Sequence, residues 1–344
     1  MPTTLIEVEE SSPASLPDPA VETGPERSRL KLVIQIPCYD EEQTLAETLS
    51  ALPQSIEGFR EVEYLVVDDG SRDRTAEVAR SRGVHHVVRH NHNQGLARAF
   101  MTGLRAAIER GADVIVNTDA DNQYQGSDIP KLVRPILDGE ADIVVGSRPI
   151  GTIRHFSPIK RLLQRLGSRI VRALSRTEIH DAPSGFRAMT RDAALRLNVF
   201  GSYTYTLETI IQAGLSNLRV ANLPIGVNGP TRPSRLMRSM SSYVWRSLRT
   251  MLSVYLIYKP IRLFGLLSFL FLLPGFALAV RYLYFFMIGE GRGHVQSVIV
   301  GGVFVVCGIF MLAIATVAHL QSINRRLLEE LRYLERSRQG RNDR

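Results

Sequence analysis

Val114-Ile115-Val116-Asn117-Thr118-Asp119-Ala120-Asp121-Asn122-Gln123 opens on β-branched apolar residues and ends on two carboxylates and a carboxamide. The apolar opening predicts a buried strand. In an extended chain, residues two apart share a face, so Asp119, Asp121 and Gln123 would converge on one point. Two carboxylates and an amide oxygen suit a hard divalent cation, Mg2+ or Mn2+, that keeps water and borrows oxygens from a substrate phosphate. The competing use of the same residues is a polar turn after a buried strand, and the neighbouring segments decide between the two.

Upstream, Leu30 to Pro37 reads as a strand, Glu41 to Leu52 as a helix, Tyr64 to Val67 as a strand, Thr75 to Ser81 as a helix and His86 to Arg89 as a short strand. Gly95 to Arg110 is a helix with alanine and leucine on one face. Downstream, Ile129 to Leu137 is helical and Ile143 to Val145 is a strand closing at Gly146-Ser147-Arg148. Strands that alternate with helices predict an α/β fold with a mostly parallel sheet covered on both faces. Ligands bind such sheets beyond the carboxyl ends of the strands. Pro37-Cys38-Tyr39, Asp68-Asp69, Asp119-Ala120-Asp121 and Gly146-Ser147-Arg148 all fall at such ends. No G-x-G-x-x-G follows the first strand and no P-loop motif occurs, which disfavours dinucleotide oxidoreductases and P-loop NTPases.

The 344 residues carry a net charge of +8, and hydrophobicity is uneven along them. Leu263 to Val280 has no charged residue, and Val295 to Leu320 has only His319. With its flanks, each is long enough for one bilayer crossing of ~20 residues. Lys259, Arg262, Arg325 and Arg326 flank the outer ends of this pair, while the connector Gly289 to Gln296 holds one acid and one arginine. The positive-inside rule then predicts two spans in the cytoplasmic (plasma) membrane, with the α/β domain and both termini cytoplasmic. The start is acidic and lacks an apolar signal segment. Cys38 and Cys307 offer neither a disulfide nor a zinc spacing.

The expected organisation is a disordered tail over 1–28, an α/β domain over 29–230, an amphipathic juxtamembrane helix over 231–260, a transmembrane hairpin over 261–320 (about 261–287 and 295–320) and a C-terminal amphipathic helix and tail over 321–344. An interfacial helix is expected at about 157–175, where Arg161, Arg165, Arg169 and Arg172 form one stripe. In 235–252 a second basic stripe opposes Met237, Met240, Tyr243, Val244, Leu248 and Met251. Basic amphipathic helices beside apolar spans suit anionic lipid. Ile323, Leu327, Leu331 and Leu334 form a seam that packs either on the α/β domain or on a neighbouring subunit, so a homo-oligomer stays open. The basic charge sits beside the apolar spans and no nucleic-acid motif occurs, which disfavours a nucleic-acid partner.

Taken together, Ile36-Pro37-Cys38-Tyr39-Asp40-Glu41-Glu42, Val67-Asp68-Asp69-Gly70-Ser71, Asn93-Gln94-Gly95, Asp119-Ala120-Asp121-Asn122-Gln123, Gly146-Ser147-Arg148, Asp181-Ala182-Pro183-Ser184-Gly185-Phe186-Arg187 and Thr231-Arg232-Pro233-Ser234-Arg235-Leu236 resemble the family 2 glycosyltransferases of GT-A (Rossmann-like) fold. The resemblance is narrower to the polyisoprenyl-phosphate glycosyltransferases, the dolichyl-phosphate mannose synthase class. Asp40 stands where that family usually has Asn. The Q-x-x-R-W motif of processive synthases is absent, which argues for transfer of a single sugar.

The resemblance implies a nucleoside diphosphate sugar donor, with Pro37, Tyr39, Glu41, Asp68, Asp69, Asp119 and Ala120 at the nucleotide sugar. It implies Asp119, Asp121 and Gln123 at the metal, and displacement at the anomeric carbon with inversion. The acceptor is expected to be a polyprenyl monophosphate. With a second pKa of ~6 it is already anionic near neutral pH and needs no general base. Arginines suit such an anion. The candidates are Arg148, Arg161, Arg165 and Arg232, with Ser168. Asp121, Arg148, Asp181 and Glu208 are the candidate catalytic residues; Asp181 and Glu208 are equally readable as structural acids pairing with Arg187. Two alternatives remain. One is transfer to a lipid hydroxyl such as diacylglycerol, which would need Asp181 or Glu208 as a base. The other is a non-catalytic membrane scaffold.

Overall fold

Side-chain alternation along β1 (Lys31–Cys38) divides its residues between two cores. Leu32, Ile34 and Ile36 point to one face, packed with Leu45 and Leu49 of α1 (Leu45–Ser50) and with Leu132 and Val133 of α4 (Ile129–Leu137). Val33 points to the other face, with Phe100 and Leu104 of α3 (Leu96–Glu109). All of these are inaccessible or nearly so, each worth about 1.5–3 kcal/mol on burial. In this computed structural model the described residues are 30–149, 181–199, 205–229 and 259–342, with isolated positions between 171 and 179 and between 245 and 256.

The remaining strands are β2 (Glu61–Asp68), β3 (His86–Arg89), β4 (Val114–Asn117), β5 (Ile143–Ser147), β6 (Arg187–Thr190) and β7 (Val220–Pro224). They form one sheet in the order β3-β2-β1-β4-β6-β5-β7. β1 runs parallel to β2 and β4, β2 to β3, and β5 to β7. β6 alone is antiparallel, wedged between β4 and β5. The sheet is therefore mostly parallel, as expected. α2 (Thr75–Ser81) and α4 match their predicted bounds, and β2 starts three residues earlier than predicted.

β6, β7, α5 (Arg191–Arg196) and α6 (Thr206–Leu215) are additions to the elements read from sequence. Because β6 runs against its neighbours, the loop before it, 181–186, returns to the rim where β1, β2, β4 and β5 end.

α7 (Pro260–Met287) and α8 (Val295–Asn342) are long and apolar enough to cross a membrane. They pack through small residues: Ser268 Oγ donates to the Gly308 carbonyl at 2.8 Å, and a Cβ on Gly275 would lie 3.1 Å from the Gly301 carbonyl oxygen. Their outer faces are bare; Leu273 is 59% and Phe310 65% exposed. Water does not tolerate apolar surface of that extent, whereas lipid does. α8 runs on through the stretch read as a separate C-terminal helix. Nothing in Gln321-Ser322-Ile323-Asn324 stops a helix.

Candidate active site

The rim is built from the ends of four parallel strands and the loop entering β6. β4 ends at Asn117, so Asp119 to Gln123 is a turn and not the extended run that sequence spacing suggested. Asn122 adopts φ +53°, a left-handed conformation that asparagine tolerates. The turn is fastened on three sides. Thr48 Oγ1 donates to the Ala120 carbonyl at 2.9 Å. Asn122 Nδ2 donates to Glu47 Oε1 at 3.0 Å, and Asn228 Nδ2 donates to the Asn122 carbonyl at 2.8 Å. Gln123 takes part through its backbone, donating to Asp121 Oδ1 at 3.2 Å and accepting from Asn228 N.

Asp119 is the electrostatic centre. Burial, the adjacent Asp121 carboxylate and Glu41 raise its pKa to about 7 against the opposing pull of Arg148 and Arg187. Two carboxylates held close enough to repel one another are residues that could hold a cation. Among the described residues no three His, Cys, Asp or Glu side chains form an all-protein cage. The donor set thus fits an ion that completes its shell with water and substrate oxygens.

Asp119 is also tightly bounded. A Cβ on Gly185 would lie 2.9 Å from Asp119 Oδ1 and 2.9 Å from the Tyr205 hydroxyl. Asn117 Nδ2 donates to the Gly185 carbonyl at 2.8 Å and to Tyr205 Oη at 2.9 Å, while Gln35 Nε2 donates to Asn117 Oδ1 at 2.8 Å. Tyr205 stacks on Phe100, and Tyr124, stacked on Phe186, accepts from Gly185 N. Gly185→Ala should therefore push the Asp119 carboxylate aside. A fall in turnover of about 10–100-fold is expected, from the sensitivity of catalysis to misplacements of ~1 Å. Turnover at saturating donor, with circular dichroism as the folding control, tests this.

Beyond the ends of β1 and β2, Glu41 is buried and accepts from Thr44 Oγ1 at 2.7 Å, and Glu41 N donates to Thr75 Oγ1 at 2.8 Å. Pro37 sits in register with Val67 on β2, and Tyr39 follows at the half-buried rim. Asp68 is inaccessible. Its Oδ1 accepts from Ser71 N at 2.8 Å, and Arg89 Nε lies 3.1 Å from Oδ2, off the line of a hydrogen bond. Asp69 accepts from Gln94 N, Gly95 N and His90 Nδ1, which fastens the entrance to α3. Both aspartates thus cap turns. Gly70, at φ +72°, leaves no room for a Cβ against the His92 carbonyl carbon at 2.5 Å. Asp40 explains its departure from asparagine: at φ +52° it accepts from Arg72 N at 2.8 Å, a role either residue fills. Burial, reinforced by Glu41, Asp68, Asp73 and Asp119, pushes the Cys38 thiol up, leaving it inert.

The candidate acceptor residue Arg148 is already engaged. Its Nε donates to Asp181 Oδ2 at 2.7 Å and its Nη2 to Oδ1 at 2.9 Å, with Arg148 N adding 3.2 Å to Oδ2. Burial alone would lower its pKa, but Tyr124, Asp181 and Asp119 drive it further above its usual value. Asp181 therefore pairs with Arg148 and not with Arg187. Arg187 is itself buried and donates to the carbonyls of Ala182, Ser184 and Thr206 and to Thr209 Oγ1. It fixes the shape of the 182–185 turn. Glu208, on the first turn of α6, is buried with Arg325 of α8 at 3.7 Å. Arg161, Arg165, Ser168 and Arg232 lie outside the described residues, as does most of 157–175 and 231–258.

Gln35, Asn117, Tyr124, Gly185 and Tyr205 are not among the site residues expected from sequence, although Asn117 and Gly185 lie inside segments that carry its motifs. A signal existed for Gln35 and Asn117, amide side chains set at buried positions of apolar strands. None existed for Tyr205, which is brought in from 88 residues beyond Asn117.

Residues 33–197 match the family described as glycosyl transferase family 2. The undecaprenyl-phosphate mannosyltransferase of Micrococcus luteus is 30% identical over 206 residues, 57% of this chain and 83% of that protein. The chain belongs to glycosyl transferase family 2. The polyprenol monophosphomannose synthase of Mycolicibacterium smegmatis is 28% identical over 210 residues, 58% of this chain and 78% of that protein. A glucosyl-3-phosphoglycerate synthase from Mycobacterium tuberculosis, solved with Mn2+, uridine diphosphate and glucosyl-3-phosphoglycerate, shares the fold with TM-score 0.52 at 22% identity. That match covers 64% of this chain and 80% of that one. The family 2 sheet of this chain is thus a GT-A-like one, followed by two long apolar helices.

Proposed function

We propose that this family 2 glycosyltransferase moves a single sugar from a nucleoside diphosphate sugar to a polyprenyl monophosphate, at the cytoplasmic face of a membrane spanned by α7 and α8. The observation that carries the acceptor choice is the state of the two candidate bases. Asp181 is inaccessible, with both oxygens tied to Arg148, and Glu208 is buried beside Arg325. A lipid hydroxyl must lose its proton to some such base. A phosphate monoester of pKa ~6 is already an anion near neutral pH and needs none. The names of the two relatives point the same way.

Pro37, Tyr39, Glu41, Asp68 and Asp69 shape the shelf for base and ribose, and Ala120 gives the sugar close access to the turn. A divalent ion held by Asp119 and Asp121, with Gln123 beside them, would offset charge on the departing nucleotide. Displacement then inverts the anomeric carbon, and the chain's task at the acceptor is to attract and orient an anion. Arg161, Arg165, Ser168 and Arg232 are proposed for that task. Arg148 contributes beside them through the charge it shares with Asp181.

Membranes containing the protein, offered a panel of nucleotide sugars with undecaprenyl phosphate, diacylglycerol or no acceptor, test the proposal. Lipid-linked sugar is expected only with the prenyl phosphate; product on diacylglycerol would favour the hydroxyl reading instead.

A second expectation concerns pH. The Asp119 carboxyl is raised from its ordinary range to about 7 by burial and by the Asp121 carboxylate. Its contribution to folding is therefore present at low pH and lost as pH climbs through that value. Ion binding needs the charged carboxylate, so it strengthens over the same window. Mn2+ should raise the melting temperature more at pH 8 than at pH 6. An equal shift at both would separate the ion from Asp119.

A further inference from the structure

Helix α8 is continuous from its apolar half into its charged half. Val295 to Leu320 contains no Asp, Glu, Lys or Arg. Arg325 follows five residues later, about 7.5 Å along the axis, and Tyr333 a further eight, about 12 Å beyond that. Ser322, Arg325, Glu329 and Tyr333 recur at helical spacing and form the covered face, while Leu327, Leu331 and Leu334 stay exposed. Arg325 Nη2 lies 3.7 Å from Glu208 Oε1, and Arg325 Nε donates to Glu329 at 2.8 Å. The Tyr333 hydroxyl donates to Asp192 Oδ1 at 2.6 Å, and the Arg196 guanidinium stands 4.5 Å over its ring.

The two contacts fall at opposite ends of the sheet. Glu208 is three residues from Tyr205, which touches Asn117 and bounds Asp119 at the rim. Asp192 and Arg196 lie on α5, which begins where β6 ends. There Thr190 pairs with Val114, the first residue of β4, and Arg191 N donates to the Asp113 carbonyl. Moving along α8 away from its apolar half, the helix meets the rim first and the base of the sheet second.

We infer that α8 is a ruler: pinned by Arg325 to Glu208 and by Tyr333 to Asp192, it holds the donor rim toward the bilayer at a fixed height. This rests on the reading that the apolar helices cross a membrane and that the acceptor is a prenyl phosphate. It goes further in making Arg325 and Tyr333 positioning residues for the lipid acceptor. Neither is among the residues proposed for the donor. A rim held one or two helical turns below the lipid meets a phosphate at the surface without extracting the chain. The orientation is settled before the encounter, which lowers its entropic cost.

Two altered full-length chains test this in proteoliposomes. One is the Arg325→Gln/Tyr333→Ala double variant. The other carries a seven-residue helical insertion after Gln321, which keeps the docking face and lengthens the ruler by about 10.5 Å. For both, the KM for a long-chain polyprenyl phosphate in the bilayer should rise at least about fivefold. The donor KM, and kcat with a short-chain prenyl phosphate in detergent, should stay unchanged. Arg325→Lys should retain the unaltered KM. Equal losses with both acceptors, or no change with either, would overturn the inference.

A readout independent of chemistry is energy transfer to a bilayer dye from a fluorophore at Arg72→Cys, beyond β2 at the rim, or at Arg60→Cys, before β2 at the base. Both are placed in a Cys307→Ser background. The residue-72 label should transfer more efficiently, and the insertion should weaken both. Equal or reversed efficiencies would sink the inference. If the unaltered protein used no prenyl phosphate at all, the proposed function would fall, and this comparison would still decide which end of the sheet faces lipid.

Discussion

Asp121→Ala is expected to lower sugar transfer by about a thousandfold, equivalent to about 4 kcal/mol of barrier, while leaving the fold nearly as stable as before. The two halves of this expectation have separate causes. Asp121 is half-exposed, and its turn is fastened by Thr48, Glu47 and Asn228, which the substitution leaves in place. Removing its charge also relieves the repulsion that raises Asp119. Stability should accordingly move by about 0.5 kcal/mol or less. Transfer, in contrast, loses one of two carboxylates proposed to hold the ion. A titration of Mn2+ and Mg2+ into the variant, reading lipid-linked sugar, makes the test. Asp121→Asn should fall between the two, because a neutral amide oxygen is a poorer ligand for a hard cation. An unchanged rate for Asp121→Ala at any ion concentration would refute the assignment, and a lost rate accompanied by unfolding would locate the defect in the turn.

What could be read from sequence follows from how local each feature is. β1 and β4 are apolar runs because they are buried on both faces, and such runs announce themselves. The acid pair was legible as a pair, yet its geometry was not. The strand stops at Asn117, and the left-handed Asn122, not strand alternation, shapes the turn that holds the carboxylates. β6 left no trace: Arg187-Ala188-Met189-Thr190 has no alternation, and its first residue is a buried arginine satisfied by backbone carbonyls from 182, 184 and 206. α8 was read as two helices because composition changes at Leu320, although the backbone has no reason to break there. The Arg148–Asp181 fork joins residues 33 apart, and no local pattern encodes such a partnership.

That fork yields the second large effect. Arg148→Met is expected to destabilise the protein by about 3–5 kcal/mol, because Asp181 would remain fully buried with its charge uncompensated. Asp181→Asn should cost less: it strands a guanidinium that is 15% exposed and retains Tyr124 and Asp119 as neighbours. The Arg148→Met/Asp181→Asn double variant should recover most of the stability lost by Arg148→Met, since no unpaired charge is left in the interior. The coupling measured by denaturation across the four proteins should be about 2–3 kcal/mol, in the range seen for residues in direct contact. Transfer activity then separates structure from recognition. If the guanidinium also draws the acceptor phosphate, the double variant folds but keeps a raised KM for the prenyl phosphate, and donor binding is untouched. If Arg148 serves only to neutralise Asp181, the double variant regains both stability and transfer. The anion would then be received entirely by the other arginines proposed for it, Arg161, Arg165 and Arg232.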